Sequence, residues 1–528
     1  MHSRKSAIHK LCPIWAPLIL ASLFALPASA QSFRVQCPTA TTLHPKPPSG
    51  QTDPLSGDPL YSGPTVLKPT LKPLTGAATF SVPYITNGGA IKCQEISGGD
   101  GFMTEADGNQ TFLFGFGPLS GLGLIQNGQP GTQLAADFNE RYNAPFLDLA
   151  GTKPDPLFNP SFPVNINAGI AIPAEMMNIG VLNANIPAPT MAIDEDDEFF
   201  LTLTNVGMIM RPDLFEQHTV HFHGYPNASS FFDGVPDASV AINIGGSMTY
   251  YYLAPDAGTY FFHCHITPPE HLQMGMVGQL YVRPRQNRVA NGIPLYTAFQ
   301  WQQTDPRTSC FPTKDILCAT PPPAVNTGFK QGDTVNSNTY TKYAYNDGDG
   351  STRYDVELPL QIHGFDPNFH FVGMTFNPEG FSDMKDKYFL LNGRSYPDTV
   401  RTGPQATEDS DGIVRPSQPM PATLTLKSGQ RALLRISDLD VTEYQTLASL
   451  GIPMQVIALN ARLLRDQAGN NLYYTTNSIT LAGGESLDVI LDTTGIAPGT
   501  YFLYTPQLDH LSNDAENFGG LMTEIVVQ

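Results

Sequence analysis

The stretch Gly258-Thr259-Tyr260-Phe261-Phe262-His263-Cys264-His265-Ile266-Thr267-Pro268-Pro269-Glu270-His271-Leu272-Gln273-Met274-Gly275-Met276 decides how this chain is read. Its first six residues have strand chemistry, Pro268-Pro269 breaks the run, and Val277 to Val282 returns as another strand. Upstream, Phe199 to Thr204, Thr219 to His223 and Met248 to Tyr252 are further short strand-like runs separated by turn residues. That spacing predicts a β-sandwich or barrel over 181–284.

Strand parity sorts the polar residues of this domain. Six of the twelve histidines, from His218 to His271, fall within 54 residues. Residues two apart on a strand share a face, and odd separations oppose. His221 and His223 therefore point one way and His218 the other. On the later strand His263 and His265 share a face opposite Cys264. If the strands are neighbours, one face gathers His218 and Cys264, and the other gathers His221, His223, His263 and His265.

The loop completes the first set. His271 follows Cys264 by seven residues and Met276 follows His271 by five. Two imidazoles, a thiolate and a weak thioether suit a blue-copper centre. Met274 competes for the axial position, and Met276 is preferred because the return into the final strand brings it back under the metal. The second set, four imidazoles, suits copper or zinc. Cys264 is covalently flanked by His263 and His265, so the two sets are joined through bonds.

Working outward, 31–180 reads as a loop-rich N-terminal extension with some strands, including Thr111 to Phe116. Residues 285–351 read as a long linker holding Pro321-Pro322-Pro323. Within it, Asn346-Asp347-Gly348-Asp349-Gly350 has part of a calcium-loop pattern but no acidic ligand at the required end, so it reads as a turn. A second β-domain is expected over 352–528. It echoes the first: Gly499-Thr500-Tyr501-Phe502-Leu503-Tyr504 parallels Gly258-Thr259-Tyr260-Phe261-Phe262-His263. The expected fold is all-β, two copies of one sandwich or barrel, with metal-type residues in the first copy only.

Bulk properties set the compartment and exclude some partners. Arg4, Lys5 and Lys10, an apolar run to Leu26 and Ala28-Ser29-Ala30 read as a signal peptide over 1–30. Its removal leaves 26 basic against 48 acidic residues, a net charge of −22. That charge argues against nucleic acid and anionic membranes, and no other stretch is long and apolar enough for a membrane span. A periplasmic or secreted location is expected. Cys37–Cys93 and Cys310–Cys318 are plausible disulfides, which leaves Cys264 as the odd thiol.

The segments His218-Thr219-Val220-His221-Phe222-His223-Gly224 and His263-Cys264-His265 with His271 and Met276 resemble the copper signatures of the multicopper oxidases. Ile186-Pro187-Ala188-Pro189-Thr190 and Phe232-Asp233-Gly234-Val235-Pro236 are also similar to that family's phrases. The longer loop before His271 is most similar to a bacterial branch that includes metal-ion oxidases. The resemblance implies two cupredoxin-like Greek-key domains. It implies a blue copper on His218, Cys264, His271 and Met276, and half of a dioxygen-reducing copper cluster on His221, His223, His263 and His265. It also implies an acid near that cluster at Asp233, whose alternative role is a turn residue before Gly234.

The pattern also departs from the family. Tyr444-Gln445-Thr446-Leu447 and Tyr504-Thr505-Pro506-Gln507 stand where the second domain's histidine pairs would fall; only His363, His370 and His510 remain in that domain, with His44 near the start of the expected mature chain. The cluster is thus incomplete in one chain: a second copy in a homo-oligomer or another partner subunit completes it, or it holds fewer coppers, or it is absent.

The leading expectation is an exported copper oxidase that takes single electrons from Mn²⁺, Fe²⁺ or a phenol and passes them to dioxygen. Substrate would donate at His271, taken as the ligand that reaches the surface, with Glu270 attracting a cation. A nitrite-reductase-like copper enzyme and a blue-copper electron carrier are the alternatives.

Overall fold

The computed structural model describes residues 35–38, 41, 90–135, 137–139, 177, 179–195, 197–225, 229–254, 256–288, 334–335, 338–339, 342–347, 349–375, 380–408, 411–466 and 470–528. The expected signal peptide, His44, Cys310, Cys318 and most of the linker lie outside these residues. Among the described residues no helix is long and apolar enough to cross a membrane.

In chain order the first domain runs β1 (Ile91–Thr104), β2 (Gln110–Pro118), β3 (Met191–Asp194), β4 (Glu198–Gly207), β5 (His221–Phe222), β6 (Ser247–Leu253), β7 (Gly258–His263) and β8 (Val277–Arg283). A short helix, α1 (Pro268–Met274), joins β7 to β8. One sheet has the order β2-β1-β4-β6, the other β3-β8-β7-β5. Their inner faces enclose a core that includes Phe114, Phe116, Leu201, Tyr250, Phe262, Cys264 and Met276.

The stretch read as an extension supplies two strands of this sandwich. β1 runs parallel to β4, with Cys93 opposite Phe200, and β2 hairpins back along β1. A parallel partner about a hundred residues away leaves no local signature, so the strand runs were visible and their sheet was not. The Cys37–Cys93 disulfide, expected from the sequence, ties residues 35–38 to β1.

The second domain runs β9 (Val356–Phe365), helix α2 (Pro367–Met374), β10 (Tyr388–Leu391), β11 (Leu424–Leu426), β12 (Arg431–Asp438), β13 (Gln445–Leu450), β14 (Met454–Leu459), β15 (Ser478–Leu481), β16 (Ser486–Asp492), β17 (Gly499–Tyr504) and β18 (Met522–Val527). Its sheets have the orders β10-β9-β12-β16-β14 and β11-β18-β17-β13-β15. Leu360, Leu434, Val456, Val489 and Leu503 lie in the core between them. The all-β, two-sandwich expectation holds.

The two domains share a polar seam. Arg283 at the end of β8 lies 2.6 Å from the Glu357 carboxylate, and Arg435 lies 2.8 Å from the same group. Both guanidinium groups also sit over the Tyr281 ring, at 5.1 and 4.9 Å. The seam explains why β7 reads as an unbroken aromatic run. Tyr260 and Phe262 face the first core, whereas Thr259 donates to Asp488 and Phe261 packs with Leu439 of the second domain. A strand covered on both sides needs no polar face.

Candidate metal centre

β7 carries Cys264 past its end with the parity intact. The Cys264 N–H donates to the Met276 carbonyl at 3.0 Å, and the Met276 N–H donates to the His271 carbonyl at 2.8 Å. These two bonds fold the loop back so that His271 and Met276 return under the cysteine. Cys264 Sγ lies 3.3 Å from His271 Nδ1 and 3.9 Å from His218 Nδ1, and it accepts from the Thr219 N–H at 3.4 Å. His218, Cys264, His271 and Met276 are all buried, and Cys264 is the one free cysteine among the described residues.

The electrostatics suit a soft cation. Burial by itself would push the Cys264 thiol up. The two imidazoles, His271 foremost, outweigh burial and hold the thiol well below its ordinary range. Burial likewise disfavours charge on His271, yet Cys264 and Glu216 hold it up at about 9. Cys264 is thereby held towards the thiolate, the form that ligates copper. Two Nδ1 atoms converging on one thiolate in a dry pocket fit blue copper.

β1 also shapes this pocket. A Cβ on Gly98 would sit 2.6 Å from His218 Cδ2, so only glycine lets β1 pass the imidazole. Both methionines are buried. Met274 Sδ lies 3.6 Å from the point a Cβ on Gly373 would occupy, so its sulfur is turned towards α2. That leaves Met276, bonded through its backbone to Cys264, as the better placed thioether.

The opposite face of β7 holds the second set. His221 pairs with His263 in register, and His223 Nε2 lies 2.9 Å from His263 Nε2. His221, His223 and His263 bring one ring nitrogen each within 4.8 Å of one another. The His265 ring stands beside them, 5.1 Å from His221 and 5.4 Å from His263. Backbone groups hold the outward nitrogens: His221 Nδ1 is 2.7 Å from the Asp233 carbonyl, and His263 Nδ1 is 2.7 Å from the Cys264 carbonyl. Such bonds fix the tautomer and leave Nε2 for a metal. His223 makes its backbone bond with Gly484 of the second domain, where an added Cβ would fall 2.8 Å from Nδ1. Burial pulls the ionisation of His263 down to about 3 and of His223 to about 4, so both rings are neutral.

The remaining sites differ from the sequence reading in instructive ways. His271 does not reach the surface, with an exposure of 0 %. Phe114 packs its edge against the ring, and Glu216 stands 3.6 Å from Nε2 with its side chain 29 % exposed. Glu216 was missed, although it lies two residues before His218 and parity places it on the same face. Burial raises the Glu270 carboxyl, with Glu216 adding to the shift and His271 and Arg211 opposing it, so both carboxylates border the same imidazole. The Asp233 carboxylate is 3.5 Å from His221 Nδ1, a further contact to the ring its carbonyl orients.

Among the described residues the second domain brings no histidine to the His221 face. His363 Nε2 and His370 Nε2 meet the Leu272 and Gln273 carbonyls of α1 at 3.0 and 2.9 Å. His510 lies between Gln445 and Glu443. Instead a cavity of about 410 Å³ opens beside His223, walled by Pro268, Leu272, Asp440, Thr442 and Glu443 among others.

Two family models, both described as multicopper oxidase, match residues 167–287 and 376–525. Over 109 residues the chain is 33% identical to laccase abr2 of Aspergillus fumigatus, covering 20% of this chain and 17% of that protein. Over 113 residues it is 31% identical to L-ascorbate oxidase of Cucumis sativus, covering 20% and 17%. The blue copper oxidase from Nitrosomonas europaea is similar in structure with a TM-score of 0.46 at 18% identity, over 82% of this chain and 85% of that one. The chain thus spans less than a fifth of the length of the curated relatives it matches. It belongs to the multicopper oxidase superfamily, and its two sandwiches are cupredoxin-like domains with copper as the implied cofactor.

Proposed function

We propose that this chain is an exported copper oxidase that takes single electrons from a small reductant, Mn²⁺, Fe²⁺ or a phenol, with dioxygen as the acceptor. One observation carries the reading. Cys264 Sγ faces His218 and His271 on one side of the strand, while its chain neighbours His263 and His265 stand with His221 and His223 on the other. A carrier needs only the first set.

In this reading His218, Cys264, His271 and Met276 would hold one copper, and the surrounding core excludes water. Copper bound at the two sets supplies one-electron redox chemistry between reductant and dioxygen. Glu216, whose carboxylate stands 3.6 Å from His271 Nε2, and Glu270 attract a cationic reductant to the side of His271. Asp233 orients His221 and is placed to hand a proton towards that face. The cavity beside His223 admits the small oxidant.

The test is copper per chain and the visible spectrum at native oligomeric size, together with oxygen consumption on a reducing substrate. More than one copper per chain, a thiolate band at about 600 nm and oxygen uptake are expected. One copper with no oxygen uptake would leave an electron carrier, and absence of the band would sink the reading. A second reading, a nitrite-reductase-like enzyme, is favoured by the lack of second-domain histidines at the His221 face among the described residues. Turnover of nitrite without oxygen uptake would select it. In either enzyme a second copy of the chain is the simplest source of the missing ligands.

A further inference from the structure

The second domain repeats the hydrogen-bond frame of the blue-copper site with different side chains in it. The Thr505 N–H donates to the Leu521 carbonyl at 2.9 Å, as Cys264 does to Met276 at 3.0 Å. The Leu521 N–H donates to the His510 carbonyl at 3.0 Å, as Met276 does to His271 at 2.8 Å. One residue further on, the Met522 N–H meets the Gly520 carbonyl at 2.9 Å, and Val277 meets Gly275 at 2.8 Å. Thr505 directly follows β17, and Leu521 directly precedes β18, just as Cys264 and Met276 flank β7 and β8.

The side chains follow the same plan. His510 Nε2 lies 3.1 Å from the Glu443 carboxylate, the relation His271 has to Glu216. Gln445 stands two residues after Glu443, as His218 stands two after Glu216, and its Oε1 is 3.0 Å from His510 Nδ1. An aromatic ring covers each imidazole: Phe389 stacks on His510 at 3.7 Å, and Phe114 meets His271 edge-on at 5.2 Å. Gln445, Thr505, His510 and Leu521 are all buried, so the frame encloses a dry pocket like its counterpart.

We infer that Gln445, Thr505, His510 and Leu521 of the second domain form a blue-copper cavity stripped of its metal, occupying the positions of His218, Cys264, His271 and Met276. The inference rests on the blue-copper reading of the first domain. Its physical content is that the backbone still presents four side chains to one point, while three of them no longer suit cupric ion. Threonine offers no thiolate, leucine no thioether, and the glutamine amide spans His510 and Asp440, donating to the latter at 2.5 Å. The native chain therefore takes its blue copper in the first domain alone, and the frame of the second stays able to receive one.

The experiment builds the ligands back in a chain whose own thiolate is gone. Gln445→His with Thr505→Cys is made in a Cys264→Ser background, loaded with Cu²⁺ and read by visible absorption and copper per chain beside the wild-type. Thr505→Cys alone in that background, nearly conserving volume, is the second variant. The inference expects a thiolate-to-copper band in the double variant, about one copper above the Cys264→Ser parent, and a Cu²⁺-dependent thiolate absorption in the single variant. Folded variants with neither band overturn it. Loss of fold in the single variant also overturns it, because a cavity of this design must take a thiol in that place. A wild-type chain without any thiolate band would instead defeat the first-domain reading on which it stands.

Discussion

His370 Nε2 lies 2.9 Å from the carbonyl oxygen of Gln273, two residues beyond His271. The other ring nitrogen lies 2.7 Å from the Phe112 carbonyl, and the ring stacks on Phe365 at 3.8 Å. A histidine of the second domain thus ties the metal-loop helix α1 to β2 of the first. Burial pulls its ionisation down to about 3 while the two carbonyls pull the other way; the neutral ring donates its one N–H to one of these carbonyls, and donating to both takes the charged ring.

Replacing that ring tests whether it positions the loop. His370→Leu keeps all four blue-site ligands and removes the donor, leaving a buried carbonyl unpaired at a cost of about 1–3 kcal/mol. Copper per chain should be unchanged, with a lower melting temperature and a displaced or broadened thiolate band. An identical spectrum would show that the loop holds His271 unaided.

Glu357 gives a pH dependence whose sign is fixed by its partners. Burial opposes its ionisation, and Arg283 and Arg435 outweigh burial and hold the carboxyl at about 2. A depressed folded value contributes stability that is present above the unfolded range near 4.3 and is lost as pH falls towards 2. The shift corresponds to about 3 kcal/mol. Glu357→Gln should destabilise at pH 7 by about 3–5 kcal/mol, because two guanidinium groups lose their counter-charge. The difference from wild-type should shrink in acid, and equal melting temperatures at pH 7 would count against the seam.

Glu216 and Glu270 can be separated kinetically. Glu216 is the closer to His271 Nε2, so Glu216→Gln should lower kcat/KM for Mn²⁺ or Fe²⁺ about tenfold, roughly 1.4 kcal/mol, and affect a neutral phenol less. Glu270→Gln should act in the same direction with a smaller effect. Equal losses on cation and phenol would remove both from a cation-attracting role.

Cys264→Ser should abolish the thiolate absorption and remove one copper per chain, with the copper on the His221 face retained. The two sets lie on opposite sides of one strand, so emptying one leaves the ring contacts of the other in place. Metal analysis with the visible spectrum reads both, and a band surviving the substitution would relocate the blue site.

Much of the candidate metal centre, as a gathering of side chains, was legible because its logic is local. The period of two separates Cys264 from His263 and His265, and the loop spacing returns His271 and Met276; both follow from short-range geometry. Glu216 was legible by the same parity and went unread because no metal chemistry marks a lone glutamate. Burial of His271 was not legible, since its cover comes from Phe114 on β2 and from Glu216, elements whose approach depends on sheet order.

By itself the sequence determined the strand runs and the two opposed candidate ligand faces of β7, properties of residue type and spacing, and it left the Cys37–Cys93 pairing as one plausible disulfide that the structure shows. Tertiary structure alone decided that β1 joins β4 in parallel and passes His218 at Gly98. It also decided that His363 and His370 clamp α1 from the second domain, and that Thr505, His510 and Leu521 reproduce the frame of Cys264, His271 and Met276. Those relations link residues far apart in the chain through backbone hydrogen bonds, which carry no side-chain signature. A repeat whose backbone survives after its ligands have changed becomes visible only when the chain is folded.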